Sequence, residues 1–211
     1  MEYQELLFSI TDNIATISLN RPDAANAMTP TMARELSDVA IYCDESREVR
    51  AVVIRGTGKM FCAGGDLGLF AKAGDDVSKL IKQMAGDLHM GISRLTRMNA
   101  PVIAAVNGTA AGAGFSLAAA ADLTIAIDTA KFVMAYTNAG LSPDGSSSYF
   151  LPRRIGDRRA RELMLTNRVL NAAEALDWGL VNQVVDADGF EEAVDRLAKQ
   201  MATGPTRAFG Q

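Results

Sequence analysis

Two glycine-rich segments are the strongest chemical signal in the sequence: 61–67, FCAGGDL, and 107–114, NGTAAGAG. Each follows a short apolar run typical of a buried strand, and each leads into a segment with a helical pattern. The first N–H groups of a helix have no partner inside the helix, so two helix starts that face each other would offer two donors to one oxygen atom. Such an oxyanion hole contributes about 3–4 kcal/mol per donor to a transition state. Alternatively, both segments are only tight connections in which glycine supplies the backbone angles.

Three polar side chains could supply further chemistry. His89 is the only histidine, and a Ser-His-Asp triad would have to use it. Because His89 lies beside the apolar stripe of a predicted helix, we expect it to be half-buried rather than catalytic. Ser116 follows Gly114 and Phe115, and we interpret it as a packing residue. Asp144 lies in 142–146, SPDGS, which is a good N-cap sequence for a helix, so a capping role competes with a catalytic one.

Two other motifs resemble nucleotide-binding loops but lack required residues. The segment 56–59, GTGK, is followed by Met60, whereas a Walker motif needs Ser or Thr there. Gly112 and Gly114 supply only two of the three glycines of a dinucleotide fingerprint. These departures argue against nucleotide hydrolysis and against dinucleotide binding.

Composition excludes several classes of protein. The chain has 211 residues, of which 48% are hydrophobic and 22% charged, and this predicts one globular domain spanning 1–211. The net charge of −4 argues against a nucleic-acid partner, and no apolar run reaches the length of a membrane span. Two cysteines, Cys43 and Cys62, suggest neither a disulfide framework nor a zinc site, so we expect a reducing, cytoplasmic location and no metal.

Strand and helix patterns alternate along the chain, which predicts an α/β fold with parallel crossovers. A hairpin is expected first, because two alternating apolar segments flank Asp12-Asn13. We predict helices over 30–46, 77–95, 110–121, 157 onward and 190–202, and strands over 51–54, 101–106, 123–127, 132–136 and 180–185. A capping box is expected from Asn171 to Glu174.

The order of these motifs resembles the enoyl-CoA hydratase/isomerase, or crotonase, superfamily, over nearly the whole chain. The segments that carry the resemblance are 19–22 (LNRP) with 26–28 (NAM), 61–67, 107–122, 140–144 (GLSPD) and 172–185, which includes WGLV at 178–181. The resemblance implies a crotonase-like spiral of ββα units and an acyl-CoA thioester as substrate. It also implies an oxyanion hole formed by the backbone N–H groups of Gly65 and Ala113.

The resemblance further implies where substrate binds. The loop 63–67 would contact the adenine of CoA, and the loop 26–28 would line the path of the pantetheine. The substrate- or CoA-binding candidates are therefore Asn26, Ala27, Met28, Ala63, Gly64, Asp66, Leu67, Gly112, Ser116 and Tyr136.

The acids of the site suggest which reaction is catalysed. Hydratases of this superfamily use two glutamates, and the corresponding positions here hold Ser116 and Tyr136. Asp144 occupies the place from which the isomerases take their single acid. The resemblance thus implies a Δ3,Δ2-enoyl-CoA isomerase that moves a proton with one base and needs no cofactor, since CoA is part of the substrate. Hydration, hydrolysis, dehalogenation or a non-catalytic acyl-CoA-binding role remain alternatives.

Two expectations concern assembly and the end of the chain. Members of the superfamily form trimers or paired trimers, so a homotrimer or homohexamer is expected. They also continue with further helices past the position of Gln211, so we expect the C-terminal helical segment to be truncated.

Overall fold

The structure, a computed structural model, describes residues 2–211 and contains two sheets surrounded by helices. The strands are β1 (Leu6–Thr11), β2 (Ile14–Leu19), β3 (Ala51–Gly56), β4 (Met60–Cys62), β5 (Val102–Val106), β6 (Thr109–Ala111), β7 (Leu123–Ile127), β8 (Lys131–Val133), β9 (Leu170–Asn171) and β10 (Gln183–Val185). The helices are α1 (Pro30–Glu45), α2 (Leu67–Lys72), α3 (Val77–Leu95), α4 (Ala113–Ala120), α5 (Ser147–Ile155), α6 (Asp157–Thr166), α7 (Ala172–Asp177), α8 (Phe190–Thr203) and α9 (Thr206–Phe209).

Successive strands of the chain alternate between the two sheets in a regular way. One has the order β1-β2-β3-β5-β7-β10, and the other has the order β4-β6-β8-β9. Three times in succession the chain gives one strand to each sheet: β3 then β4, β5 then β6, β7 then β8. The strands from β2 to β10 in the larger sheet pair in parallel, whereas β1 and β2 form the predicted antiparallel hairpin. The predicted α/β spiral of ββα units is therefore confirmed.

Helices cover both faces of the larger sheet. On one face, Phe190 and Val194 of α8 pack on Val53, Ile103 and Ile125. On the other face lies the main core, which contains one side of α1 and α3 and the whole of α4. Because a helix buried on every side needs small residues to approach its neighbours, the alanine-rich composition of α4 fits its central position.

Helix α1 begins where the sequence signals predict. The hydroxyl of Thr29 accepts a hydrogen bond from the backbone N–H of Met32 at 3.1 Å, and Pro30 occupies the first helical position. Its buried side packs against α3, where a Cβ on Gly91 would lie only 3.3 Å from the backbone nitrogen of Ser37. This contact fixes the position of α3 against α1.

Several predicted boundaries were wrong. The segment 110–121 is not one helix, because β6 precedes it and Gly112 adopts φ 49° and ψ −120°, a conformation that a side chain disfavours. The strand over 132–136 ends at Val133, and Ala135 has φ 58°. Of the strand predicted over 180–185, only residues 183–185 form a strand, which is β10. Helix α5 was not predicted, because it starts in a run of serines and contains Pro152.

The C-terminal third is held by polar and cationic contacts at its surface. The capping box from Asn171 to Glu174 is confirmed. The guanidinium groups of Arg159 and Arg168 lie 4.6 and 5.1 Å from the ring centroid of Trp178. Among residues 2–211, no helix combines the length and the apolar character that crossing a membrane would require.

Candidate active site

The two glycine-rich turns contact each other at their glycines. Gly64 has φ 91°, and a Cβ there would lie 3.0 Å from the carbonyl oxygen of Ala111 and 3.3 Å from Cα of Gly112. The first turn is also tied to Met28, which donates its N–H to Gly64 at 2.7 Å and accepts from the N–H of Asp66 at 3.0 Å. Only residues without a Cβ allow the two backbones to approach so closely.

Several backbone N–H groups on these turns have no acceptor within residues 2–211, among them those of Gly65 and Ala113. The N–H of Gly64 donates to Sγ of Cys62 at 3.4 Å and that of Gly112 donates to Val133 at 3.0 Å, but those of Gly65 and Ala113 donate to nothing. Ala113 is the first residue of α4, where no intrahelical acceptor exists. Both residues line the same pocket. Two unpaired donors that line one pocket are the groups that an oxyanion hole would require.

The pocket is narrow and mainly apolar. It has a volume of about 80 Å³ and is bounded by both turns, by α2 and α3, and by the segment 135–144. Its apolar wall consists of Leu67, Phe70, Ile81, Met84, Leu88 and Leu141. Its polar side chains are those of Tyr136 and Asp144. Such a lining suits an apolar acyl group whose carbonyl oxygen reaches the two donors.

Asp144 presents a free carboxylate oxygen to this pocket. Its Oδ1 is buried and has no hydrogen-bond partner in the part of the chain that the structure describes. Its backbone carbonyl accepts from Ser116 Oγ at 3.0 Å and from the N–H of Ser147 at 3.0 Å. Helix α5 begins at Ser147, and no side chain caps it. The interpretation of Asp144 as a helix cap is therefore wrong, and its Oδ1 has no partner among the described residues.

Ser116 and Tyr136 form a buried hydroxyl pair beside Asp144. Ser116 Oγ lies 2.8 Å from the hydroxyl of Tyr136, and both side chains are buried. Burial and the nearby charge of Asp144 raise the pKa of Tyr136 above its usual range, so the phenol stays neutral. Tyr136 lines the pocket, whereas Ser116 lies behind it and supports the turn that carries Asp144. Ser116 thus packs in α4, as the sequence suggested.

The loop 26–28 supports the site from outside the pocket. Asn26 is fully buried, and its amide donates to the carbonyls of Thr57 and Met60 at 2.9 and 2.8 Å. Its side-chain oxygen accepts from the N–H of Arg21 at 2.8 Å. The side chains of Ala27 and Met28 are buried as well. The structure does not bring these side chains into the pocket. Instead, they hold the loop against the first glycine-rich turn.

Among residues 62–67, some hold the first glycine-rich turn in place and others line the pocket. The Asp66 carboxylate caps α2 by accepting from the N–H of Leu69 at 3.0 Å, and it pairs with Arg21 at 3.1 Å. The Leu69 N–H, and to a lesser extent Arg21, hold the pKa of Asp66 below its ordinary value. Ala63 and Leu67 line the pocket, and Leu67 is 60% exposed at its mouth. Burial raises the pKa of the Cys62 thiol to about 11, which keeps it protonated and unreactive.

His89 has a role that the sequence did not reveal. It is exposed rather than half-buried, and its Nε2 accepts a hydrogen bond from the N–H of Gly145 at 2.9 Å. The apolar pocket wall was also missed, because the helical spacing of Ile81, Met84 and Leu88 is equally typical of a core-facing side. Among residues 2–211, no group of three His, Cys, Asp or Glu side chains is placed to hold a metal ion.

Comparisons with known proteins agree with this geometry. The family model described as enoyl-CoA hydratase/isomerase matches residues 9–211. A 4-chlorobenzoyl coenzyme A dehalogenase from Arthrobacter sp is 37% identical over 201 residues, which are 95% of this chain and 73% of the relative. A trans-2-decenoyl-[acyl-carrier-protein] isomerase from Streptococcus mutans is 32% identical over 213 residues, covering 99% of this chain and 80% of the relative.

A solved structure has the same fold. An enoyl-CoA hydratase from Mycobacterium avium subsp. paratuberculosis superposes with a TM-score of 0.90 at 32% identity, covering 99% of this chain and 79% of the other. The matched residues include both glycine-rich turns and the segment that carries Asp144. This chain belongs to the enoyl-CoA hydratase/isomerase, or crotonase, family of acyl-CoA enzymes.

Proposed function

We propose that the protein is a Δ3,Δ2-enoyl-CoA isomerase that uses Asp144 as its single acid and base. The observation that carries the proposal is the free, buried Oδ1 of Asp144 in the pocket that also contains the unpaired N–H groups of Gly65 and Ala113. A carbonyl held by two donors makes the adjacent C–H more acidic, because the donors stabilise the enolate. One carboxylate then suffices to move a proton between two carbons.

The reaction follows from these three groups. The thioester oxygen of a 3-enoyl-CoA accepts hydrogen bonds from Gly65 and Ala113, and Asp144 removes a proton from C2. The electron pair of that C–H bond enters the conjugated dienolate, and Asp144 is now a neutral carboxylic acid. It returns the proton to C4, so the double bond moves from C3–C4 to C2–C3 and the carboxylate is restored. No atom is gained or lost, and no metal or redox cofactor takes part in this scheme.

Hydration is less well supported. Adding water across a double bond with general acid and base requires a second group to activate the water, and hydratases of the family use a pair of glutamates for this. Among the described residues that line the pocket, Asp144 is the only carboxylate. Tyr136 is a neutral phenol, and Ser116 is fully engaged behind the pocket.

Binding of the CoA part belongs to the same proposal. Leu67 lines the pocket and is exposed, so its side chain and the backbone of the loop 63–67 would meet the adenine. Gly64 and Gly112 line the pocket side by side. We further propose a cytoplasmic homotrimer or homohexamer, and light scattering of the purified protein would test the assembly.

A second candidate is hydrolytic dehalogenation of an aryl-CoA. It is favoured by the 37% identity to the Arthrobacter dehalogenase together with the free Oδ1 of Asp144. In this scheme Asp144 attacks the halogenated ring carbon, chloride leaves with the carbon–chlorine electron pair, and an aryl ester forms. Water then cleaves the ester, which releases the hydroxyaryl-CoA and restores the carboxylate.

One set of assays separates these reactions. The enzyme is incubated with 3-hexenoyl-CoA, 2-hexenoyl-CoA or 4-chlorobenzoyl-CoA, and products are followed by mass spectrometry, with Asp144→Asn as the matched control. The proposal predicts that 3-hexenoyl-CoA is converted to the conjugated isomer without change of mass, and that the variant fails to do so. Gain of one water by 2-hexenoyl-CoA as the principal reaction would contradict it in favour of hydration. Chloride release would instead support the second candidate.

A further inference from the structure

The turn that carries Asp144 is held between two helices. From α4, Ser116 Oγ donates to the carbonyl of Asp144 at 3.0 Å, and a Cβ on Gly145 would lie only 2.7 Å from Cβ of Ser116. From α3, Nε2 of His89 accepts the N–H of Gly145 at 2.9 Å. Gly145 has φ 58°, so its conformation also depends on having no side chain. The peptide after Asp144 is therefore held by hydrogen bonds to α4 and to α3, in addition to those that its carbonyl accepts from Ser147.

We propose that His89 is a positioning residue that sets where the Asp144 carboxylate stands in the pocket, an inference that rests on the proposed function of Asp144. The imidazole can accept the Gly145 N–H only with a lone pair on Nε2, which requires the neutral ring with its proton on Nδ1. His89 acts through the peptide of Gly145, and the proposed proton transfer does not pass through the ring.

The position of His89 on α3 gives this contact its importance. The same helix supplies Ile81, Met84 and Leu88 to the acyl wall of the pocket. The hydrogen bond that Gly145 donates to His89 on α3 therefore ties the acid to the surface against which the acyl chain would lie. Displacement of a reacting group by about 1 Å can lower a rate on the order of a hundredfold. Gly145 is buried, so losing His89 would leave its N–H without an acceptor, while the hydrogen bond from Ser116 to the Asp144 carbonyl remains.

Two variants at one position test this role. His89→Phe keeps a ring but removes the acceptor, and His89→Gln restores a polar side chain of similar reach that can accept but cannot act as a base near neutral pH. With 3-hexenoyl-CoA we expect kcat of the Phe variant to fall about 10- to 100-fold with KM changed less than about threefold, and the Gln variant to recover to within about threefold of the wild type. Gln83→Ala, an exposed change on the same helix, serves as the control.

The results discriminate between positioning and other roles. A Phe variant with unchanged kcat would overturn the proposal. A Gln variant as impaired as the Phe variant would also overturn it, since that result assigns a proton-transfer role to the ring. Thermal stability of the Phe variant should fall modestly, because the buried Gly145 N–H loses its acceptor, and that of the Gln variant should stay close to the wild type. A loss of kcat caused by misfolding would appear as a large fall in thermal stability.

A spectroscopic measurement is independent of the reaction catalysed. His89 is the only histidine, so the tag-free protein labelled with ¹⁵N-histidine gives the signals of a single imidazole. Near pH 8 we expect the Nδ1–H tautomer, with Nε2 unprotonated, and faster amide exchange at Gly145 in the Phe variant. The Nε2–H tautomer would overturn the proposal even if isomerase activity is present. Absence of isomerase activity with the expected tautomer would instead discard the proposed function while retaining the His89–Gly145 contact.

Discussion

The two chemical parts of the site are built differently. The donors at Gly65 and Ala113 are backbone groups on turns whose glycines pack against each other, with Cβ atoms excluded by contacts of 3.0–3.4 Å at Gly64 and Gly112. The acid is one side chain on a loop held by hydrogen bonds from Ser116 and to His89. Among the standard substitutions only proline deletes a backbone donor, whereas almost any substitution deletes or replaces the acid. In the proposed site the donors are therefore the more constant part and the acid is the more variable part.

Removal of the acid should have the largest effect on activity. Asp144→Asn keeps the size of the side chain but cannot accept a proton, so we expect kcat for 3-hexenoyl-CoA to fall about 10³-fold or more. Binding of a saturated acyl-CoA, measured by calorimetry, should change little because the donors remain. An active Asn variant would show that Asp144 is not the base and would remove the distinction between the two parts.

Displacement of a donor should have the next largest effect. Gly64→Ala places a Cβ 3.0 Å from the carbonyl of Ala111 in a residue with φ 91°, so the turn must move and carry the Gly65 N–H with it. We expect kcat to fall about 10- to 100-fold and the free energy of unfolding to fall by about 1–3 kcal/mol.

The matched control for that substitution is on α3. Gly86 is exposed in the middle of the helix, and a Cβ there would meet nothing within 4 Å. Gly86→Ala should therefore raise the free energy of unfolding by about 0.5–1 kcal/mol, measured by urea denaturation, and leave activity unchanged. If both alanine variants behaved alike, the contact between the two glycine-rich turns would not be important for the donors.

The hydroxyl of Tyr136 should have a smaller effect, because it supports the acid without replacing it. Tyr136→Phe removes the 2.8 Å contact with Ser116, while Ser116 keeps its carbonyl acceptors at Gly112 and Asp144. We expect a loss of about 1 kcal/mol in the free energy of unfolding and a change in kcat below about tenfold. A loss as large as that of Asp144→Asn would instead identify the phenol as a second proton-transferring group.

The ion pair beneath the first turn should have the smallest effect, and a pH-dependent one. The pKa of Asp66 is below its ordinary value of 3.8, so folding favours the ionised form. The ionised Asp66 therefore stabilises the folded state at pH values above the pKa of this group in the unfolded chain. This stabilisation is lost as the pH falls through the lower pKa of the folded state. Asp66→Asn retains a capping side chain, so at neutral pH we expect a loss of about 1 kcal/mol or less. Urea denaturation between pH 2 and 7 should show this difference vanishing at the acidic end.

Sequence patterns indicate the proposed donors more directly than the proposed acid. The glycines at 64, 65 and 112 mark turns by themselves, and the alternation of strands and helices fixes which ends of the turns meet. Asp144 has no local pattern that separates a base from a helix cap, and only the position of α5 shows that its carboxylate is free. His89 was missed because its partner is a backbone N–H 56 residues away, which leaves no trace in residue spacing. The acyl wall was missed because side chains that face a pocket and side chains that face a core share one helical period.

Trp178, the only tryptophan in the chain, gives the molecule a built-in optical probe of one region. Its ring contacts the guanidinium groups of Arg159 and Arg168, in the C-terminal third and outside the residues that line the pocket. Its fluorescence therefore reports whether α6 and the segment after α7 remain packed together. Acyl-CoA binding can be followed by other signals while this emission monitors, in the same sample, the integrity of the surrounding fold.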